Sequence, residues 1–483
     1  MRSRIARHLW PVLEHEQRDA VDPRAAGVTV EPQVPPLELN GRDYAIFLLR
    51  LAAEVEHGLM VQYLFAAYSL GARDTPEDRR GDVRAWQETI LGIAKEEMAH
   101  LVTVENLLTA LSAPLNFNRE EFPHTTPLYP FGFKLQPASL DSLATYICAE
   151  SPEEWDIPED EEQDIKDRAQ VAAGAPINRV GLLYAELMRV LSDETAVSPD
   201  DFNDASRAFQ ASWHEWGRGY RQGERGREAM SSLPDLPAPE LLIIEVGTRA
   251  QALNAIAEVG EQGEGLEPGT ENESHFQRFL AIYRGMNELG DGVGVRRLAT
   301  NPTTDLEGPD IGAPEDPNST TPIVDEEAKL WAHLFNVRYR KLLVNLSHAF
   351  ALSDDPSDRA ALTPRGALIH RTFSEMYNLR AIAGLLVELP VNSADPYGPR
   401  AGPPFQIPHT LMLPQDEGGR WRMHRDILDA AAIVIERLTN EGAVDGQDYL
   451  AALAQADETE RAQIELLIAG SALTASRNGA PPT

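Results

Sequence analysis

The run Glu54-Val-Glu-His-Gly-Leu-Met-Val-Gln-Tyr-Leu-Phe-Ala-Ala-Tyr68, with Glu97-Met-Ala-His100 further along, decides the fold. Around the first run, Ile46, Leu49, Ala53, Met60 and Phe65 recur at the spacing of one helical face, which predicts a helix from about Gly41 to Leu70. Asn40 suits its N-cap, and Gly71 suits the turn that closes it. A second helical pattern runs from about Arg84 to Leu111 and stops before Pro114. No β-branched alternation appears along the chain, so the expected class is all-α.

Glu56 and Tyr63 lie seven residues apart, about two turns, and share a face. Glu97 and His100 lie three apart, about 4.5 Å along the axis, so one cation reaches both. Both motifs sit within apolar stripes: Leu49, Ala53, Met60 and Leu64 around Glu56, and Ile93, Val104 and Leu107 around Glu97 and His100. A carboxylate on a core-facing stripe costs several kcal/mol unless it is paired or metal-bound. Two such stripes on successive helices point to a shared partner, and a metal is the simplest. Glu-x-x-His is the arrangement through which helical bundles hold two iron or manganese ions. By itself the motif also arises by chance as a surface pair. Tyr63 is the expected hydrogen-bond donor to a ligand, with a core tyrosine as its plain alternative. Glu54 and Glu96 neighbour these positions and are expected at the surface, with His57 facing elsewhere.

The composition narrows the chemistry. A chain of 483 residues exceeds one compact core, and two domains are expected. The net charge of −33 excludes a phosphate-backbone binder and disfavours an anionic membrane surface, so no nucleic-acid or membrane partner is expected. No run of 18 apolar residues is present to span a bilayer. The basic start, Met1 to Trp10, lacks the apolar stretch of a secretion signal. The single cysteine, Cys148, rules out an internal disulfide and any cysteine cage, leaving His, Asp and Glu to hold a metal. A reducing cytoplasm suits this usage.

The chain reads as an N-terminal arm (1–38), a helical bundle (39–298), a Pro-rich linker (299–323) and a C-terminal helical region (324–483). Within the bundle segment, a loop over 112–140 carries Phe117, Phe122, Tyr129, Phe131 and Phe133, a density of aromatics that packs onto something. A short helix near Ser139–Ala149 follows, then an acidic stretch over 152–170 expected as a solvated loop. A third long helix is expected over Ile177–Leu191, with Pro176 at its start, and a fourth over Pro239–Glu261. Gly290-Asp-Gly-Val-Gly294 has no strand before it and is not a nucleotide-binding turn. In the C-terminal region His348 and Glu375 lie on apolar helices with Phe335, Tyr339 and Tyr377 nearby. A satisfied buried pair is the expected reading, and a pocket the sharper one.

The run Glu54–Tyr68 resembles the ferritin-like domain of the iminophenyl-pyruvate dimer synthase family. So do Leu128-Tyr-Pro-Phe-Gly-Phe133, Gln262-Gly-Glu-Gly265, Ser274-His-Phe276 and, in the C-terminal region, Gly402-Pro-Pro-Phe405. The resemblance covers most of 40–290 and extends into 325–440. It implies a ferritin-like four-helix bundle followed by a second helical region. It also implies a carboxylate-bridged dimetal centre, di-iron with manganese as the other choice, and an oxidative enzyme of secondary metabolism. The substrate it implies is an aromatic 2-imino or 2-oxo acid. The resemblance proposes the other half of the site: Glu261 at the end of the fourth helix, His275 after the Gly-rich excursion, and a carboxylate from the third helix. Near Gly181, where an acid is expected, the chain has Leu182-Leu-Tyr184, and Glu186 one turn later takes that role. Glu56, Glu97, Glu186 and Glu261 together would balance two divalent cations, with His100 and His275 neutral. Two other functions stay open on the residues alone: a metal-binding or iron-handling protein, and a helical scaffold without metal.

Overall fold

The computed structural model describes residues 38–125, 129–173, 177–216, 240–264, 273–308, 311–314, 316–353, 363–395, 397–407, 409–440 and 445–477. The expected arm over 1–38, apart from its last residue, and the expected helix start at Pro176 lie outside them. Among the described residues the regular secondary structure is almost all helix, with one two-stranded pairing and long irregular stretches between helices. None of the helices is long and apolar enough to cross a membrane. The chain divides into two compact units, Met1–Val295 and Arg296–Thr483.

In the first unit α1 (Gly41–Ser69) and α2 (Arg80–Ala110) form a long packed pair. The Asn40 side chain accepts the Asp43 N–H at 2.9 Å and caps α1. At the far end Gly71 adopts φ 88°, and its N–H donates to the Gly294 carbonyl at 2.8 Å. Next come α3 (Leu140–Ala149) and α4 (Glu159–Ala173), then α5 (Val180–Ser192), α6 (Arg249–Glu264) and α7 (His275–Leu289). Ser139 and Ser274 each open their helix with a reciprocal capping box, fixing where α3 and α7 begin. Helix α3 packs on α7, α7 on α2 and α6, and α5 on α1 and α6.

Most of the acidic stretch over 152–170 departs from the sequence expectation of a loop. Residues 159–173 are helical because four acids occupy the first turn of α4, where the helix dipole favours them. Ile165 and Ala169, four apart, give the helix a buried edge. Arg284 of α7 grips Glu161 in a two-pronged pair at 2.7 Å.

The second unit pairs α8 (Glu326–Phe350) with α9 (Pro364–Leu386), and α10 (Glu417–Asn440) with both α8 and α11 (Gln447–Arg477). The described residues of the stretch 299–323, expected as a linker, belong to this unit and pair with one another. Pro302–Thr303 (β1) pairs in parallel with Thr321–Pro322 (β2). The buried Asn301 amide donates to the carbonyls of Pro317 and Ser319, both at 2.9 Å, which pins the excursion between the strands. The Thr300 hydroxyl adds bonds to the carbonyls of Pro314 and Asp316, and backbone bonds of the short parallel pairing complete the set.

The aromatic loop packs where α1 leaves room. A Cβ at Gly58 would lie 2.2 Å from the Phe133 ring, and that ring is stacked on Tyr129 and edge-on to Phe131. Gly58→Ala should therefore destabilise the protein, since overpacking costs about 1–3 kcal/mol against the ~1 kcal/mol that alanine gains in a helix. The expected result is a lower thermal midpoint by circular dichroism. An unchanged or raised midpoint would mean that the loop does not depend on this contact.

Candidate metal centre

Five titratable side chains meet between α1, α2, the end of α3 and the start of α7. Glu56 comes from the middle of α1, and Glu97 and His100 from one face of α2. Glu150 is the residue that ends α3, and His275 is the first residue of α7. Each is buried, with at most 3% exposure. They form two triads that share Glu97: Glu56, Glu97 and His100, and Glu97, Glu150 and His275. His100 Nδ1 lies 3.0 Å from Glu97 Oε2 and 3.6 Å from Glu56 Oε2. His275 Nδ1 lies 2.8 Å from Glu97 Oε1 and 3.6 Å from Glu150 Oε2.

Two tyrosines orient the outer carboxylates. The Tyr63 hydroxyl donates to Glu150 Oε1 at 2.5 Å, and the Tyr184 hydroxyl donates to Glu56 Oε1. Tyr63 is itself wedged between Tyr146 of α3 and Phe279 of α7. The pocket over the triads is completed by Leu59, Val180, Gly181, Val259, Gly263 and Glu264. A Cβ at Gly181 would overlap the Glu264 carboxylate, and one at Gly263 would press on Glu150 at 3.2 Å. Glycine at both positions lets the two acids sit against backbone. Burial pushes the Glu264 carboxyl up to about 7.

The electrostatics of the cluster call for positive charge. Burial, reinforced by the neighbouring Glu97, pushes Glu56 up to about 8. Burial alone would lower His100, but Glu56 and Glu97 outweigh it and hold the imidazole at about 10. His275 is likewise held well above its ordinary value, against its burial, by Glu97, Glu150 and Glu96. Burial opposes ionisation of Glu97, yet the two imidazoles beside it keep it well below the usual carboxylate range. Glu56 Oε2, Glu97 Oε1 and His275 Nδ1 are buried and lack a properly directed hydrogen bond, although His275 and Glu97 approach closely. Buried acceptors rarely stay unsatisfied. A carboxylate–imidazole donor set of this kind fits iron or manganese. With Glu264, four carboxylates surround the pocket, the number that balances two divalent cations.

The residues anticipated from sequence divide unevenly. Glu56, Tyr63, Glu97, His100 and His275 are brought together. Glu186 is not: its carboxylate is clamped by Arg189, one turn on, through two bonds of 2.7 Å. Tyr184 stands toward the cluster from α5 instead. Glu261 is exposed on α6, and the next residue, Gln262, turns inward. Glu96 is not a surface residue; it is fully buried beside His275 and Arg278. Glu54 is half-buried, accepting from Tyr129 at 2.9 Å and Asn116 at 3.2 Å. Glu150 was missed. An acid ending a helix whose other residues are nearly all buried is the signal that marks it. In the second unit Glu375 pairs with Lys341 at 2.7 Å, while His348 meets His424 at 3.0 Å, so the two do not share a pocket. Tyr377 is exposed. Burial pushes the Cys148 thiol up to about 12, a packing cysteine.

Residues 49–284 match the family described as Ferritin-like. Dichlorochromopyrrolate synthase of Lentzea aerocolonigenes is 27% identical over 446 residues, covering 83% of this chain and 39% of that protein. The 2-imino-3-(indol-3-yl)propanoate dimerase of Chromobacterium violaceum is 27% identical over 419 residues, covering 79% and 36%. The chain thus spans less than two-fifths of the length of either relative. A ferritin-like protein of known structure from Caulobacter vibrioides aligns at TM-score 0.38 and 18% identity, over 70% of this chain and 97% of that one.

Protons and a cation compete for these groups, so cation binding should expel protons. Glu56 and His100 bind protons up to about 8 and about 10, and affinity for Mn2+ should therefore rise with pH through that range. Calorimetric titration in two buffers of different ionisation enthalpy would read the released protons. Binding without proton release, at an affinity independent of pH, would contradict the site.

Proposed function

We propose that this ferritin-like domain holds two iron ions, manganese being the other metal its donors suit, and carries out an oxidative reaction on an aromatic 2-imino or 2-oxo acid. The observation that carries the reading is the pair of buried donor triads sharing Glu97. The similarity to two enzymes named for making and joining aromatic units supports the substrate class. A bound metal pair would supply redox equivalents, with dioxygen as the acceptor for electrons taken from the organic substrate.

The chain's own residues would set the conditions for that chemistry. Glu97 offers one oxygen to each triad and so ties the two positions together. Tyr63 and Tyr184 hold Glu150 and Glu56 by donated hydrogen bonds, fixing both outer carboxylates. Leu59, Val180 and Val259 are the apolar part of the pocket lining and limit water there. Glu264, on the same wall and held near neutral pH, can take or give a proton at its carboxylate. Joining two imino acids by a new carbon–carbon bond removes two electrons and two protons, which dioxygen accepts. The overall reaction is thus balanced without another oxidant.

The test is oxygen uptake by iron-loaded protein given an imine generated in place from an aromatic amino acid. Uptake above the protein-free rate is expected. Glu97→Ala should abolish it and reduce bound iron from two per chain to one or none, because it removes the shared ligand. Iron-loaded protein that consumes no oxygen with any aromatic 2-imino or 2-oxo acid would overturn the enzymatic reading.

A further inference from the structure

The two inward-facing imidazoles end, on their outer sides, on different kinds of group. His275 Nε2 lies 3.1 Å from Glu96 Oε2, a carboxylate that Arg278 also grips. His100 Nε2 lies 2.8 Å from Gln262 Oε1, an uncharged amide carbonyl. One residue fixes both partners. The Glu240 N–H donates to Glu96 Oε1 at 2.9 Å, and the Glu240 carbonyl accepts from Gln262 Nε2 at 3.1 Å. The second bond also sets which way the Gln262 amide points, leaving its oxygen toward His100. Both acceptors therefore hold a proton on Nε2 and leave each Nδ1 facing Glu97.

A carboxylate draws on an imidazole N–H more strongly than an amide does, and makes the opposite nitrogen a better donor. Arg278 pairs with Glu96 in a fully buried position and holds its carboxylate against His275 inside the core. We propose that Glu96 and Gln262 are positioning residues that make the two metal positions unequal. The position between His275 and Glu150 takes a divalent cation first and holds it more tightly. The position between His100 and Glu56 fills second. This rests on the dimetal reading above and adds an order of loading, set from outside the ligand shell.

The test is a titration of metal-free protein with Mn2+, followed by electron paramagnetic resonance. The wild type should bind in two steps: first an isolated bound ion, then an exchange-coupled pair. Glu96→Gln should weaken the first step by about 10–100-fold, the usual cost of losing such a partner, and leave the second within a few-fold. Gln262→Met should weaken the second step alone and widen the gap. If Glu96→Gln fails to fold because Arg278 loses its partner, the double variant Glu96→Gln/Arg278→Gln carries the same expectation. Two ions entering the wild type in one step would overturn the proposal. So would a Glu96→Gln loss shared equally by both steps, or no loss at all. Protein that binds no Mn2+ would instead overturn the dimetal reading itself.

Discussion

Five ionisable side chains share one dry volume between four helices, and much of the first unit is arranged around that constraint. Three carboxylates and two imidazoles cannot stay in a low-dielectric core without compensation. Glu97 carries most of the burden, since it is a neighbour of both histidines and belongs to both triads. Each outer group then has its own restraint. Tyr63 holds Glu150, Tyr184 holds Glu56, Glu96 meets His275 and Gln262 meets His100. Helix ends bring the distant parts together. Glu150 sits where α3 stops, and His275 where the Ser274 capping box starts α7.

The packing serves the same end. Glycines at 58, 181 and 263 allow a ring and two carboxylates to approach backbone closely. The aromatic loop fills the space beside α1, and Tyr63, Tyr146 and Phe279 form a tight triangle of rings under Glu150. Such rings are stiff, with two side-chain torsions each, and hold a hydroxyl in place at little entropic cost. A centre that must keep donor atoms within a few tenths of an ångström needs this kind of surround.

The parts of the site carried by regular helices could be read from the sequence. Glu56, Tyr63, Glu97 and His100 lie at turn spacings on helices with clear apolar stripes. Glu96 could not be read that way, because α2 is packed by α1 on one side and by α6 and α7 on others. An off-stripe residue there is still inside. Glu150 escaped because α3 is nearly all buried and gives no amphipathic pattern, while the acids after it suggest solvent. Glu186 stands apart from the cluster, and Arg189, three residues on, marks it as half of a helix-surface ion pair. Glu261 points away from the cluster: one residue along a helix turns the side chain by about 100°, and its neighbour Gln262 faces inward. The described residues of 299–323 are tied by the buried Asn301, the Thr300 hydroxyl and a short parallel pairing, features composition does not display.

The central claim is that Glu97 is the shared ligand of two metal ions. The most direct measurement is a crystal structure of iron-loaded protein with anomalous data collected at the iron edge. Two anomalous peaks should appear, one at each oxygen of Glu97, flanked by Glu56 with His100 and by Glu150 with His275. A single peak, no peak, or iron at Glu186 or Glu261 instead would contradict the account.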